Sequence, residues 1–149
     1  MQSLNFPNYT FRFKNNENRK FIFDPVRKKF ILLTPEEWVR QNMVQFLIHE
    51  KGCSINLMNI EKKLVVNNLL KRYDIIIFYP DGKVWMIVEC KAPSVKIKQE
   101  TFDQIARYNM SLNSNYLLVT NGLNHYACRI DFENKRYIFL EDIPNYQLA

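Results

Sequence analysis

Two apolar strands joined by a turn constrain this chain more than any other stretch. Residues 75–79 read Ile-Ile-Ile-Phe-Tyr, residues 84–88 read Val-Trp-Met-Ile-Val, and Pro80-Asp81-Gly82 lies between them. That punctuation is hairpin chemistry. Neither strand alternates apolar with polar, so both faces of the sheet must be covered. Both strands end in charge, with Asp74 before the first and Glu89-Cys90-Lys91 closing the second. Asp74 lies six residues before Pro80 and Glu89 seven after Gly82, so the near-equal arms bring both acids to one end. Residues two apart share a face, so Glu89 and Lys91 point one way while Cys90 packs with Val88. Two carboxylates side by side repel unless a cation or a proton sits between them. Hard oxygen ligands suit Mg²⁺, or Mn²⁺, and Lys91 adds a positive charge where a phosphate and an attacking water would meet. The plainer reading is a set of solvated strand ends with one Glu–Lys ion pair. Spacing alone does not separate the two.

The rest of the chain reads as α/β with a mixed sheet. Alternation over residues 9–14 predicts a strand, Asn15-Asn16-Glu17-Asn18 a turn, and residues 20–23 and 29–33 two further strands. Basic residues (Arg19, Lys20, Arg27, Lys28, Lys29) recur there among aromatics; they suit phosphate contacts or a solvated outer face. Thr34-Pro35-Glu36-Glu37 starts a helix, with Thr34 as N-cap, Pro35 in the first turn and Glu37 completing a capping box. It runs to about residue 50, ends near Gly52, and buries Val39, Met43, Phe46 and Leu47. On a helical wheel Glu36 falls mid-stripe and Glu37 on its flank. Residues 58–66 read as a strand or as helix. A helix follows over 98–112, then strands over 116–120, 126–130 and 136–140, with Asn121-Gly122 as a turn.

Composition excludes several classes. Three cysteines without a CxxC pair, and only His49 and His125 beside them, make neither a disulfide framework nor a zinc motif. Three glycines build no phosphate-cradling loop. The start of the chain has no signal-peptide core and no apolar run spans a bilayer, so a cytoplasmic, membrane-free protein is expected. A net charge of +6 permits a polyanionic partner. One domain over residues 1–149 is expected, divided into a β extension (1–30) and a core (31–140). Trp38, Trp85 and Cys90 read as packing residues.

Asp74, an apolar strand, a turn and an apolar strand into Glu89-x-Lys91 resembles the PD-(D/E)XK nuclease signature. With LTPEEWVRQ, ECKAP, QIARYN and YLLVTNG, the resemblance narrows to the N-terminal nuclease domain of the restriction subunit of type I restriction–modification systems, particularly short stand-alone bacterial relatives. It covers roughly residues 31–125. It implies a restriction-endonuclease-like core, DNA as substrate, and Mg²⁺ or Mn²⁺ held by Asp74, Glu89 and the backbone carbonyl of Cys90. Lys91 would position or activate the water, and Gln104 with Tyr108 matches a QxxxY helix beside the site. The first-helix acid maps to Glu36, or alternatively Glu37. Lys62, Lys63, Lys71 and Arg72 flank the site and suit phosphate contacts, or merely keep a strand edge soluble. A tyrosine, Tyr73, stands where the family has proline, and no ATP-binding segment lies in these residues. The implied activity is a metal-dependent deoxyribonuclease, alone, as a homodimer, or with restriction–modification subunits. An inactive DNA- or partner-binding module and a dimeric junction resolvase-like nuclease are the alternatives.

Overall fold

The computed structural model describes residues 1–147. The chain forms β1 (Phe13–Asn16), β2 (Arg19–Asp24), β3 (Lys29–Leu32), α1 (Pro35–His49), β4 (Met58–Val66), β5 (Leu69–Phe78), β6 (Val84–Cys90), α2 (Gln99–Asn109), β7 (Ser114–Thr120), β8 (His125–Asp131) and β9 (Arg136–Phe139). The first three strands make a small antiparallel sheet. The other six make a mixed sheet in chain order β4-β5-β6-β7-β8-β9. Only β6 and β7 run parallel, and α2 is the crossover that a parallel pair requires. The fold is the mixed α/β arrangement read from the sequence, with the small β extension at its start.

Each face of the large sheet has its own apolar layer. Val39, Met43, Val44 and Leu47 of α1 pack on Ile75, Ile77, Met86, Val88 and Leu118. Phe102 and Ala106 of α2 pack on Ile76, Ile87, Leu117 and Cys128 from the opposite side. Trp85 is an extra residue between the Ile77–Met86 and Phe78–Val84 pairs, a bulge that turns its ring into the α1 layer. Among the described residues no helix is long and apolar enough to cross a membrane.

Several sequence expectations shift. Residues 9–12 lie outside β1: Leu4 and Phe6 pack on the α1 layer and Phe11 on Trp38, and backbone pairing begins where the Phe23 N–H donates to the Arg12 carbonyl. Residues 58–66 are strand. They turn back through Asn67 and Asn68, both left-handed (φ 52° and 64°), so β5 starts at Leu69 and not near Ile75. The capping box is half built. Thr34 Oγ1 accepts from the Glu37 N–H, but the Glu37 carboxylate binds Arg27. In the buried stripe, Val44 lies deeper than Phe46.

Gly122 shows how tightly the start of the chain is tied down. Its φ is +85°, and a Cβ there would stand 2.9 Å from Leu4 and 3.0 Å from Val39. The Asn5 N–H donates to the Gly122 carbonyl. Gly82 has a similar φ of +90° with open space around it. Gly82→Ala is therefore expected to cost about 1–2 kcal/mol from backbone strain alone. Gly122→Ala adds overpacking of roughly 1–3 kcal/mol, and equilibrium urea unfolding of both variants checks the difference.

Candidate active site

β5 and β6 pair through Ile75 and Val88, which stands Asp74 opposite Glu89 at the open end of the hairpin. The equal-arm expectation holds. The Cys90 N–H donates to Asp74 Oδ2 at 2.7 Å and fixes that carboxylate across the strand pair. Both acids line an open cavity of about 520 Å³, together with Glu36, Lys63, Leu70, Arg72, Cys90, Lys91 and Tyr108. β6 and β7 place Lys91 there, since the Lys91 N–H donates to the Thr120 carbonyl and prolongs the parallel pairing.

Electrostatics concentrate on Glu89. Burial first, then the adjacent Asp74 within hydrogen-bonding reach, pushes its carboxyl up to about 9. Closely spaced carboxylates resist ionising together, and Glu89 is the one held toward its protonated form. Glu36 is raised by burial and by Asp74, with Arg40 and Lys91 opposing.

The two glutamates of the first turn divide their roles. Glu36 is half-exposed and faces the cavity. Glu37 is buried and bound by Arg27 Nη2 at 2.8 and 2.9 Å and by Gln41 Nε2 at 3.0 Å. The wheel put Glu36 deeper, yet Glu37 is the buried one because Arg27, delivered by the small sheet, satisfies its charge. Sequence reasoning missed Arg40. Its buried guanidinium lies 3.2 Å from Glu36, 3.2 Å from Glu61, 3.7 Å from Glu37 and 3.7 Å from Asp74. Its spacing of four from Glu36 on one helix face was the available signal. Glu61 adopts φ +55° within β4, a conformation that costs about 1–2 kcal/mol, and its carboxylate reaches both Arg27 and Arg40.

The remaining expected residues divide. Tyr108 lines the cavity, whereas Gln104 is exposed on α2 and does not. Lys63 and Arg72 are cross-strand neighbours on the cavity wall. Lys62 is exposed and absent from that wall. Lys71 is committed elsewhere: its ammonium donates to the Tyr108 carbonyl (2.6 Å) and to Ser111 Oγ (2.8 Å), tying down the end of α2. The Cys90 thiol is fully buried and pushed far up by burial, so it is no nucleophile. Trp85 is core, and Trp38 packs on Phe11 while its Nε1 donates to the Gln2 carbonyl. Tyr73 is buried against Tyr108, and its hydroxyl has no partner.

Among the described residues no three His, Cys, Asp or Glu side chains are drawn together as a finished metal cage. What stands there is an opposed carboxylate pair, Asp74 and Glu89, with Glu36 at the rim held by Arg40. As a donor set this is all oxygen, and it fits Mg²⁺ or Mn²⁺ rather than a softer metal.

A family model described as the type I restriction enzyme R protein N terminus matches residues 35–144. Among solved structures, the chain is similar to a fragment assigned to the HsdR subunit of a type I restriction enzyme from Vibrio vulnificus YJ016. Identity is 21%, the TM-score 0.49, and the match covers 68% of this chain and 22% of that one. The chain thus spans about a fifth of the length of that structure. No match is found among curated proteins.

The raised Glu89 sets a pH dependence. Folded Glu89 keeps a proton that the unfolded chain releases near 4.5, so its contribution to stability is full below that pH and is lost as pH rises toward about 9. Thermal unfolding without divalent metal is expected to show a falling melting temperature across this window. In Glu89→Gln the fall is expected to flatten.

Proposed function

The chain belongs to the type I restriction enzyme R protein N-terminal family, and we propose that it is a divalent-metal-dependent nuclease acting on DNA, of the PD-(D/E)XK kind. The observation that carries this reading is the opposed Asp74–Glu89 pair beside Lys91 in one open cavity. Asp74 and Glu89, with the Cys90 carbonyl and Glu36, would hold the metal. When bound, Mg²⁺ would neutralise charge on the scissile phosphate and lower the pKa of a water. The Lys91 ammonium holds that water and the developing phosphate charge in line. Lys63 and Arg72 meet DNA phosphates entering along the β4–β5 wall, and Tyr108 bounds the cavity on the α2 side, with Gln104 one turn before it. Arg40 keeps Asp74 and Glu36 oriented from behind. A role beside other restriction–modification subunits belongs to the same proposal.

A second reading is a DNA- or partner-binding module on this fold without catalysis. Arg40 favours it, because its guanidinium already supplies Asp74 and Glu36 with a cation. Calorimetric titration with Mn²⁺ separates the two. The nuclease binds Mn²⁺ with heat that disappears in Asp74→Ala, and the module binds none.

Cleavage of plasmid DNA with Mg²⁺ tests the nuclease directly. Lys91→Ala is expected to lower the rate roughly 10²–10³-fold while Mn²⁺ binding persists. Asp74→Ala should lose both. Plasmid cleavage left intact in both variants rejects the mechanism.

A further inference from the structure

Seven of the chain's 21 lysines and arginines fall within residues 12–29, and the small sheet sorts them by face. Register pairs Lys14 with Phe21, Asn16 with Arg19, and Phe23 with Phe30. Opposed residues share a face, so Lys14, Arg19, Phe21, Phe23 and Phe30 lie together. The other face carries the buried Ile22 and Asp24 and the ring of Phe13, which packs beside Trp38 of α1. On the first face the cations lie over the rings. The Arg12 guanidinium is 4.6 Å from the Phe23 ring centre and 5.6 Å from that of Phe30. Lys14 is 5.1 Å from Phe30, and Arg19 is 5.8 Å from Phe21.

Three further observations set this face apart. Its three phenylalanines are half-buried and belong to neither apolar layer of the core. Arg12, Lys14 and Arg19 are exposed, and among the described residues none has a carboxylate partner within ion-pair distance. No strand residue of this face is acidic. We propose that the Phe21–Phe23–Phe30 face of the small sheet binds a single-stranded nucleic acid, with bases on the rings and phosphates on Arg12, Lys14 and Arg19. The chemistry selects this partner. A polyanion alone would need only the cations, and a duplex hides its base faces inside the stack, whereas an unpaired strand offers both flat π-faces and regular phosphates. The long cationic side chains can exchange a ring for a phosphate and so free the ring for a base. This face is separate from the Asp74–Glu89 cavity and needs no metal.

Fluorescence anisotropy with a labelled oligothymidine of about 15 nucleotides, a length that fits known single-strand sites, tests this in buffer with a chelator and no divalent cation. The whole chain should bind the single strand more tightly than a duplex of equal length. Phe30→Leu and Phe23→Leu, which keep the charge, should each weaken it about 5-fold or more. Arg19→Ala, an exposed change with little bearing on folding, should weaken it and flatten its salt dependence. Circular dichroism melting shows whether each variant is folded. Folded leucine variants with unchanged affinity, an Arg19→Ala chain that binds like the parent, or a duplex that competes as well as the single strand would each overturn the proposal. Because no metal is present, failure here leaves the nuclease reading standing, and loss of cleavage leaves this one standing.

Discussion

Strand β6 is apolar on both faces and must be covered on both, and the site follows from that constraint. Every residue of β6 is buried except Glu89, which is half-buried. α1 covers one side through Met86, Val88 and Cys90, and α2 covers the other through Ile87. The cover runs out where the strand ends, so the first polar residue emerges into a partly dehydrated crevice. Antiparallel pairing with β5 adds Asp74 from the neighbouring strand. Removing water from two adjacent acids at once raises Glu89 and readies the pair for a cation. The same burial that makes the hairpin a stable core element thus gives its end a charge problem that a metal or a proton must solve.

Around the acids lies a network of two arginines and five carboxylates. Arg27 binds Asp24, Glu37 and Glu61, while Arg40 binds Glu36, Glu37, Glu61 and Asp74. Buried ion pairs are weak sources of net stability, because desolvation offsets most of the attraction. Their effect here is geometric: Arg27 reaches from the small sheet, Arg40 from α1 and Glu61 from β4, so three elements are held in one arrangement around Asp74. The β extension is therefore wired to the cavity through its Arg27 side while its opposite face stays open.

Much of this was legible in the residues themselves. The hairpin arms counted out to opposed acids, and Thr34-Pro35 marked the start of α1 to the residue. What stayed hidden depended on partners distant in sequence. The depth of Glu37 required Arg27, and the bridging position of Arg40 required β4 and β5 to be in place. The long β4–β5 hairpin turned on Asn67-Asn68, a pair that tolerates left-handed backbone but lacks the glycine that usually announces such a turn. The alternation from residue 9 promised a strand, but over residues 9–11 packing on α1 outweighed pairing. Lys71 looked like a phosphate contact until α2 offered it a helix-end carbonyl.

The proposed nuclease function requires that Asp74 and Glu89 together hold a divalent cation. A crystal soaked with Mn²⁺ and measured at the manganese absorption edge tests this most directly. The account predicts an anomalous peak between the Asp74 and Glu89 carboxylates, within about 2.0–2.3 Å of an oxygen from each. An empty position there, with Arg40 still paired to Asp74 and Glu36, would contradict it.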